Sequence, residues 1–158
     1  KELLSYENVF VLQAFTKSYA LAGVRLGYLM GKAETLQKIS GFVQPWSVSA
    51  LAQAAGIAAA GDTKYLNRLR TVVQKEREYL MSGVKDLGYL PYPSCANFLL
   101  FEGEQDLAVC LRKRGIAIRV CDDFVGLVAG KDKKFFRIAV RTHRENSILL
   151  KALREVKR

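Results

Sequence analysis

Apolar residues recur along the chain in two patterns, and these assign its segments to strands and helices. Short continuous apolar runs bounded by glycine or polar residues are typical of strands, whereas apolar positions three and four residues apart are typical of helices. The runs predict strands over residues 9–12, 26–30, 98–101, 116–120 and 135–140. Helical spacing or alanine-rich composition predicts helices over residues 32–39, 47–60, 63–87, 106–114 and 145–156.

The order of these elements predicts an α/β fold. The helix over 63–87 is unusually long, as helices that connect two lobes often are, and Gly61 followed by Asp62 supplies a stop before it and a cap for it. A loop with Pro91 and Pro93 comes next. Beyond that loop strands alternate with helices, which predicts a small α/β lobe whose three-stranded sheet is covered by helices.

The strand predicted over residues 9–12 is of the buried type, because it offers no polar face. Such a strand needs neighbours. We therefore expect this sequence to be a piece of a larger domain.

The size and composition of the chain indicate a globular protein. It has 158 residues, of which 50% are hydrophobic, enough for one domain with a sizeable core. No apolar run approaches the roughly 20 residues of a membrane span, and the first residues do not follow a signal-peptide pattern. We expect a cytoplasmic protein.

The net charge favours anionic partners. There are 25 basic and 15 acidic residues, for a net charge of +10, which suits nucleic acid, a membrane surface or a phosphorylated small molecule. Much of the basic charge, however, lies on the polar faces of predicted helices, as over 68–77 and 144–158, and no basic stretch is interleaved with aromatic residues. We therefore expect neither nucleic acid nor a membrane as partner.

Three cysteines and one histidine give no metal-binding pattern. Cys95, Cys110 and Cys121 are widely spaced, form no CxxC pair and are accompanied only by His143. We expect reduced thiols and no structural metal.

Lys17 has the neighbours that covalent cofactor chemistry would use. It follows an apolar strand directly, stands between Thr16 and Ser18, and lies eight residues before Arg25. A partly desolvated lysine loses its proton more readily and can form an imine with an aldehyde. Hydroxyl groups and a guanidinium nearby could bind a phosphate. Residue types alone equally allow a surface lysine.

The order of the residues around Lys17 is more specific than their types alone. Phe-Thr-Lys-Ser-Tyr-Ala-Leu-Ala-Gly-Val-Arg-Leu-Gly-Tyr closely resembles the cofactor-binding segment of class I/II aminotransferases, in particular the histidinol-phosphate aminotransferases and the threonine-phosphate decarboxylases of cobalamin synthesis. The resemblance runs over essentially the whole chain. It implies the PLP-dependent transferase fold type I, with Lys17 forming the imine with pyridoxal 5'-phosphate (PLP), and Arg25 and Thr16 binding the cofactor phosphate. Ala14 departs from the family, where many members have a hydroxyl residue.

The same resemblance implies substrate-binding residues in the second half of the chain. Phe136-Arg137-Ile138-Ala139 resembles the strand whose arginine, here Arg137, pairs with the substrate α-carboxylate, and Ile116-Ala117-Ile118-Arg119 the strand whose arginine contacts a substrate phosphate. Planar guanidinium groups suit both tasks. Asn97 is implied to orient the carboxylate or the cofactor, with a turn or capping role as the alternative.

The branch of the family sets the expected reaction. Trp46 and Arg141 resemble the threonine-phosphate decarboxylases more than the aminotransferases, with Arg141 a further phosphate ligand or a solvent-facing charge. The resemblance thus implies decarboxylation of L-threonine O-3-phosphate to (R)-1-amino-2-propanol phosphate. One alternative is a histidinol-phosphate aminotransferase. Another is the aminotransferase-like sensing domain of a regulator, which binds PLP without turnover.

The resemblance also divides the chain. It assigns 1–46 to the end of the large PLP-binding domain, 47–87 to connecting helices and 88–158 to the small carboxy-terminal α/β domain. The aspartate that holds the pyridinium nitrogen, the ring that stacks on the cofactor and the glycine-rich phosphate turn would precede residue 1. We therefore expect this piece alone to be inactive, and the intact protein to be a homodimer.

Overall fold

The computed structural model describes residue 4 and residues 6–157, and it contains every predicted strand and helix with ends shifted by a few residues. The strands are β1 (Val11–Ala14), β2 (Gly27–Met30), β3 (Leu90–Pro91), β4 (Phe98–Glu104), β5 (Arg119–Val120) and β6 (Lys133–Ala139). The helices are α1 (Phe15–Ser18), α2 (Ala33–Ser40), α3 (Ala50–Gly61), α4 (Thr63–Asp86), α5 (Leu107–Arg112) and α6 (His143–Val156).

The chain forms two compact units, one up to Leu69 and one from Arg70. The division falls inside α4, the long helix that the sequence predicts to connect two lobes. Each end of α3 and the start of α4 follow from local capping. The Ser49 side chain accepts a hydrogen bond from the Ala52 amide, and Asp62 accepts one from the Tyr65 amide at 2.8 Å.

In the first unit β1 and β2 form an antiparallel pair, with Val11 opposite Met30 and Ala14 opposite Gly27. The apolar run of the first strand suits burial, but the described residues of this chain do not cover it, since 78% of the Leu12 surface is exposed. The reason is that β1 pairs along one edge only. An apolar run reports which side chains suit a buried environment and not whether this chain covers them.

The second unit contains a four-stranded antiparallel sheet in the order β3-β4-β6-β5. The prediction of three strands is therefore wrong by one. The additional strand, β3, consists of Leu90 and Pro91 and lies at the edge of the sheet. The proline favoured a loop in the sequence, but an edge strand tolerates proline because one side of it needs no ladder hydrogen bonds.

One face of this sheet forms the core of the second unit. Side chains alternate between the two faces of a strand, so Leu99 and Phe101 of β4 share a face with Phe136 and Ile138 of β6. All four are at most 2% exposed. Helices α4, α5 and α6 supply the rest of this core through Leu80, Val84, Leu107, Leu111, Leu149, Leu150 and Leu153. Each such side chain stabilises the fold by about 1.5–3 kcal/mol when buried.

Helix ends in this unit are capped by side chains and turns. At the start of α6 the Thr142 side chain accepts from the Glu145 amide while the Glu145 carboxylate accepts from the Thr142 amide, which is a capping box. The helix consequently begins at His143, two residues before its predicted start. At the end of α4 the Lys157 ammonium donates to the Leu87 carbonyl and lies 4.5 Å from the centre of the Tyr89 ring.

Three features of the described residues bear on the remaining expectations. The thiols of Cys95, Cys110 and Cys121 are all free. No group of three or more histidine, cysteine or acidic side chains in the described part of the chain could hold a metal ion. None of the helices within residues 6–157 has the length and apolar character needed to cross a membrane.

Candidate active site

Lys17 lies on α1, a single helical turn that continues directly from β1. Two hydrogen bonds close this turn, since the amides of Tyr19 and Leu21 both donate to the Phe15 carbonyl. Between them Ala20 adopts the left-handed conformation, with φ of 54°. The two hydrogen bonds and the conformation of Ala20 therefore fix the backbone of the turn that carries Lys17.

Aromatic packing anchors the same turn. Phe15 is buried and its ring stacks on Tyr19 at 5.0 Å, while Tyr19 in turn stacks on Tyr65 at 5.8 Å. Tyr28 of β2 meets the Phe15 ring edge-on. Stacked rings of this kind add to the free energy of simple burial. The side chain of Lys17 is exposed, so the partial desolvation considered for it from the sequence is not present in the described residues.

Arg25 and Thr16 lie at the same end of the β1–β2 pair as Lys17. The Phe15 amide donates to the Leu26 carbonyl at 3.0 Å, which brings the residue before Thr16 next to the residue after Arg25. Arg25 has φ of 56°, an uncommon conformation for a residue with a side chain, and its guanidinium donates to the Ala22 carbonyl at 3.2 Å. Strained backbone of this kind is concentrated at functional sites.

The second group of candidate residues lies on the outer face of the sheet. Arg119 of β5 is directly opposite Arg137 of β6 in the antiparallel register, so both side chains leave the sheet on the face away from the core. The Arg137 guanidinium lies 4.9 Å from the centre of the Phe98 ring. Like charges directly opposite each other destabilise a sheet unless something negative lies between them. This pair is therefore suited to binding an anion.

The charges of Arg137 and Arg119 both act on the thiol of Cys121. Burial raises its pKa, while the positive charges of Arg137 and Arg119 act in the opposite direction. The carboxylates of Asp123 and Asp122 raise this pKa as burial does, so the two arginines share the edge of the sheet with two acidic groups.

Arg119 and Arg141 have acidic partners. Arg119 pairs with Asp123 at 2.5 Å, and both side chains are about half exposed. Arg141 pairs with Glu145 through its Nε at 2.7 Å. This hydrogen bond and those from Thr142 lower the pKa of Glu145 to about 2. Arg141 therefore contributes to the start of α6, whatever else it binds.

Asn97 lies immediately before β4. Its backbone carbonyl accepts from the Val140 amide at 2.8 Å and so continues the β4–β6 ladder by one step, while its side chain is exposed. Asn97 is thus near the outer-face arginines along the two strands, since Phe98, its neighbour, lies against Arg137. The roles assigned to all these site residues from the sequence stay predictions.

Several neighbours of the site had no signal in the sequence. Phe98 and Asp123 contact the candidate arginines, and Glu76 and Asn146 form a buried pair with the Asn146 amide donating to Glu76 at 2.9 Å. Glu76 and Asn146 are 70 residues apart in sequence, which is why periodicity does not reveal them. The capping-box spacing Thr-x-x-Glu at residues 142–145 was a signal that could have located the start of α6.

The residues at the end of the β1–β2 pair fit a phosphorylated aldehyde cofactor. The Lys17 amine is exposed to react with an aldehyde, and the Thr16 hydroxyl and the Arg25 guanidinium are the donor types that bind phosphate. Their common position, established by the Phe15–Leu26 hydrogen bond, is the observation on which this fit depends.

Comparisons with known proteins agree with this fit. The family model for aminotransferase class I and II matches residues 2–153. A protein of Caldanaerobacter subterraneus subsp. tengcongensis, provisionally named a threonine-phosphate decarboxylase, is 33% identical over 94% of this chain and 41% of its own length. The crystal structure of the histidinol-phosphate aminotransferase from Clostridium acetobutylicum superposes with a TM-score of 0.89 at 31% identity, over 99% of this chain and 48% of that one.

A further solved structure contains the cofactor. The histidinol-phosphate aminotransferase from Sinorhizobium meliloti, in complex with PLP, has a TM-score of 0.80 and 30% identity, over 98% of this chain and 42% of that one. The fold is therefore that of a PLP-dependent transferase of fold type I. The chain belongs to the class I and II aminotransferase family, whose members depend on PLP. It spans about two fifths of the length of the curated relatives it matches.

Proposed function

We propose that the full-length protein is a PLP-dependent decarboxylase that converts L-threonine O-3-phosphate into (R)-1-amino-2-propanol phosphate. The observation that carries this proposal is the register of β5 and β6, which places Arg119 directly opposite Arg137 on one face of the sheet. Residues directly opposite each other in an antiparallel pair have Cβ atoms about 4.5–5.5 Å apart. Two arginines whose Cβ atoms lie this close, on one face of the sheet, suit a small molecule with two anionic groups.

Threonine phosphate has these two groups in one short molecule. Its carboxylate suits Arg137, which can form a bidentate pair, and its phosphate suits Arg119. Holding both ends fixes the rotation of the substrate, and such orientation can account for a large part of a rate enhancement. When the bond from Cα to the carboxylate breaks, carbon dioxide leaves and a proton takes its place, so the product keeps its amino group.

The cofactor and the first unit have separate tasks in this proposal. PLP, when bound, stabilises the electron pair left at Cα when the bond perpendicular to its ring breaks. Lys17 would hold the cofactor covalently, with Thr16 and Arg25 on its phosphate. Arg141 would be a secondary phosphate ligand, because its hydrogen bond to Glu145 also belongs to the start of α6.

Amino transfer from histidinol phosphate is the second candidate, and the names of two solved relatives, at 31% and 30% identity, favour it. Histidinol phosphate has a phosphate but no carboxylate, so it would use the two arginines differently from threonine phosphate. The acceptor 2-oxoglutarate would bring two carboxylates to the same face. The two reactions therefore differ in which anions bind together.

Parallel assays with full-length protein separate the two candidates. Threonine phosphate labelled in its carboxyl group is expected to release labelled carbon dioxide and to give a product that keeps the amino group. Histidinol phosphate with 2-oxoglutarate is expected to give no glutamate. Formation of glutamate without labelled carbon dioxide would overturn the decarboxylase and establish the aminotransferase.

A further inference from the structure

Two adjacent residues of α4 contact both chain segments that border the outer-face arginines. Glu76 accepts a hydrogen bond from the Asn146 amide at 2.9 Å, and the Arg77 guanidinium donates to the Ala96 carbonyl at 3.1 Å. Glu76 is 6% exposed and Asn146 is 1% exposed. None of these side chains was assigned a role above.

Asn146 holds the turn between β6 and α6 through the backbone of one residue. Its side-chain oxygen accepts from the Arg141 amide at 3.0 Å, and its side-chain nitrogen donates to the Arg141 carbonyl at 2.9 Å as well as to Glu76. The amide group is thus satisfied on both sides. The ring of His143 also lies against Glu76, with Nδ1 3.2 Å from Oε1.

Arg77 holds the other segment. Ala96, whose carbonyl it binds, is followed by Asn97 and then by Phe98, the ring that lies against the Arg137 guanidinium. The two segments are also joined to each other, because the Val140 amide donates to the Asn97 carbonyl at 2.8 Å. Helix α4 therefore fixes the entry to β4 and the exit from β6 together.

A buried carboxylate is a costly way to hold two segments. Apolar side chains of similar size often stabilise a fold as well or better, while buried polar groups that are fully hydrogen-bonded hold one geometry. The network therefore contributes more to geometry than to stability.

We propose that Glu76, Arg77 and Asn146 are positioning residues that fix the geometry of Arg137, and of Phe98 beneath it, for the substrate carboxylate. They touch no substrate themselves. This inference rests on the proposed function, because it assigns the carboxylate to Arg137. A displacement of about 1 Å at such a group can reduce a rate by about 100-fold.

The test compares Asn146→Leu with the wild type in the full-length protein. Asn146→Leu keeps the branching and the number of heavy atoms of the side chain and removes all three hydrogen bonds. We expect the KM for threonine phosphate to rise at least about tenfold, as a displaced anchor predicts, and the inhibition constant of 1-amino-2-propanol phosphate, which lacks the carboxylate, to stay unchanged. Amide hydrogen exchange at Arg141 and Val140 should accelerate, which reports the loosened turn independently of turnover.

Three further variants separate positioning from stability. Glu76→Gln keeps an acceptor for the Asn146 side chain, so this variant should have the same KM for threonine phosphate as the wild type. Gly83→Ala loosens α4 against α6, because its new Cβ would meet the side chain of Leu150, and leaves every hydrogen bond of the network in place. It should lower the unfolding temperature without changing the ratio of the two ligand constants. Arg77→Met tests the second segment if Asn146→Leu does not fold.

A double-mutant cycle gives the decisive comparison. In an Arg137→Ala background, Asn146→Leu should raise the KM no further, because its effect passes through Arg137. A full additional loss there, or equal losses for both ligands, would overturn the inference while leaving the proposed function in place. A wild-type protein that binds threonine phosphate no better than the decarboxylated amine would overturn both.

Discussion

Arg119, Arg137 and Arg141 are alike in the sequence but differ in the partners of their guanidinium groups. Arg119 pairs with Asp123 and Arg141 with Glu145, whereas Arg137 lies against an aromatic ring. A phosphate that binds Arg119 must therefore compete with a carboxylate. Exposed ion pairs are worth about 0.2–1 kcal/mol, so this competition is weak and adjustable.

Asp123→Asn should consequently improve the binding of phosphorylated substrates. The change removes the competing charge and keeps the shape of the side chain, so the KM for threonine phosphate should fall about two- to fivefold, the range expected from the free energy of an exposed pair. The KM for an unphosphorylated amino acid should not change. Arg119→Ala should have the opposite effect, a higher KM that is again confined to phosphorylated substrates.

Asp122→Asn is the matched control for this prediction. Asp122 pairs with Lys134 at 2.6 Å and not with Arg119, so the variant removes the same charge from the neighbouring position. If both asparagine variants lower the KM equally, the effect comes from net charge and the role of Asp123 is wrong.

The candidate residues that could be predicted from the sequence are those that stand in a local motif. Lys17, Thr16 and Arg25 stand within ten residues of one another, and Arg119 and Arg137 each stand in a short strand motif. Glu76 and Asn146 were not predicted, because a buried carboxylate and its partner are 70 residues apart and neither carries a local motif. Folding alone brings them together.

Local hydrogen bonds and backbone conformation determine where a helix ends, and Gly88 shows this for α4. The Gly88 amide donates to the Lys85 carbonyl and the Tyr89 amide to the Val84 carbonyl, the hydrogen bonds of a Schellman motif, with Gly88 at φ of 77°. A Cβ at Gly88 would also meet the Lys157 ammonium at 2.8 Å. The conformation favours glycine here, and a Cβ would in addition displace the end of the Lys157 side chain.

Gly88→Ala should therefore lower the free energy of unfolding by about 1–2 kcal/mol, the cost of a side chain in the left-handed region. Gly115, which ends the turn after α5 at φ of 75° with open space around it, is the control for conformation alone. Gly115→Ala should cost less than Gly88→Ala.

Gly61→Ala should instead stabilise α3 by about 0.4–1 kcal/mol, because the φ of Gly61 lies outside that region and a Cβ there would meet no other atom within 4 Å. Chemical denaturation measures all three, and equal losses at 88 and 115 would exclude a part for Lys157.

The start of α6 should give a measurable pH dependence. The pKa of Glu145 is lowered from 4.5 to about 2 by hydrogen bonds from Arg141 and Thr142. A lowered pKa means that the stabilisation is complete above pH 4.5 and is lost as the pH falls through about 2. Glu145→Gln should be less stable than the wild type at neutral pH, and the difference in unfolding temperature should shrink as the pH falls towards 2. A difference that stays constant from pH 7 to pH 2 would contradict this assignment.

Helices were predicted more closely than strands, for a physical reason. The repeat of α4 and the alanine-rich sequence of α3 act within one element, and both were located to within a few residues. The short strand β3 depends on its partner, since Leu90 and Pro91 form a strand only because β4 offers an edge. The exposure of β1 likewise depends on what covers it and not on its own residues.

For the molecule as a whole, the sequence predicted the fold class and the cofactor, because the segment around Lys17 and the small-domain strands are specific to one family. The choice between reactions could not be predicted in the same way. With the roles proposed here, decarboxylation and amino transfer would use the same lysine and the same cofactor, and they would differ in which anions bind together and in how the substrate is rotated. That rotation depends on several distant groups acting together.

The cofactor assignment is tested on full-length protein. Lys17 is exposed and makes no hydrogen bond or ion pair in the described part of the chain, so Lys17→Ala should leave the unfolding temperature of the protein without cofactor unchanged. We expect borohydride reduction of the PLP-loaded wild type to fix the cofactor to the peptide that contains Lys17. Lys32, whose ammonium is paired with Glu7 at 2.8 Å, should stay unlabelled and serves as the neighbouring control. A label on another lysine in the wild type, or a label of equal yield in Lys17→Ala, would show that the cofactor is held elsewhere.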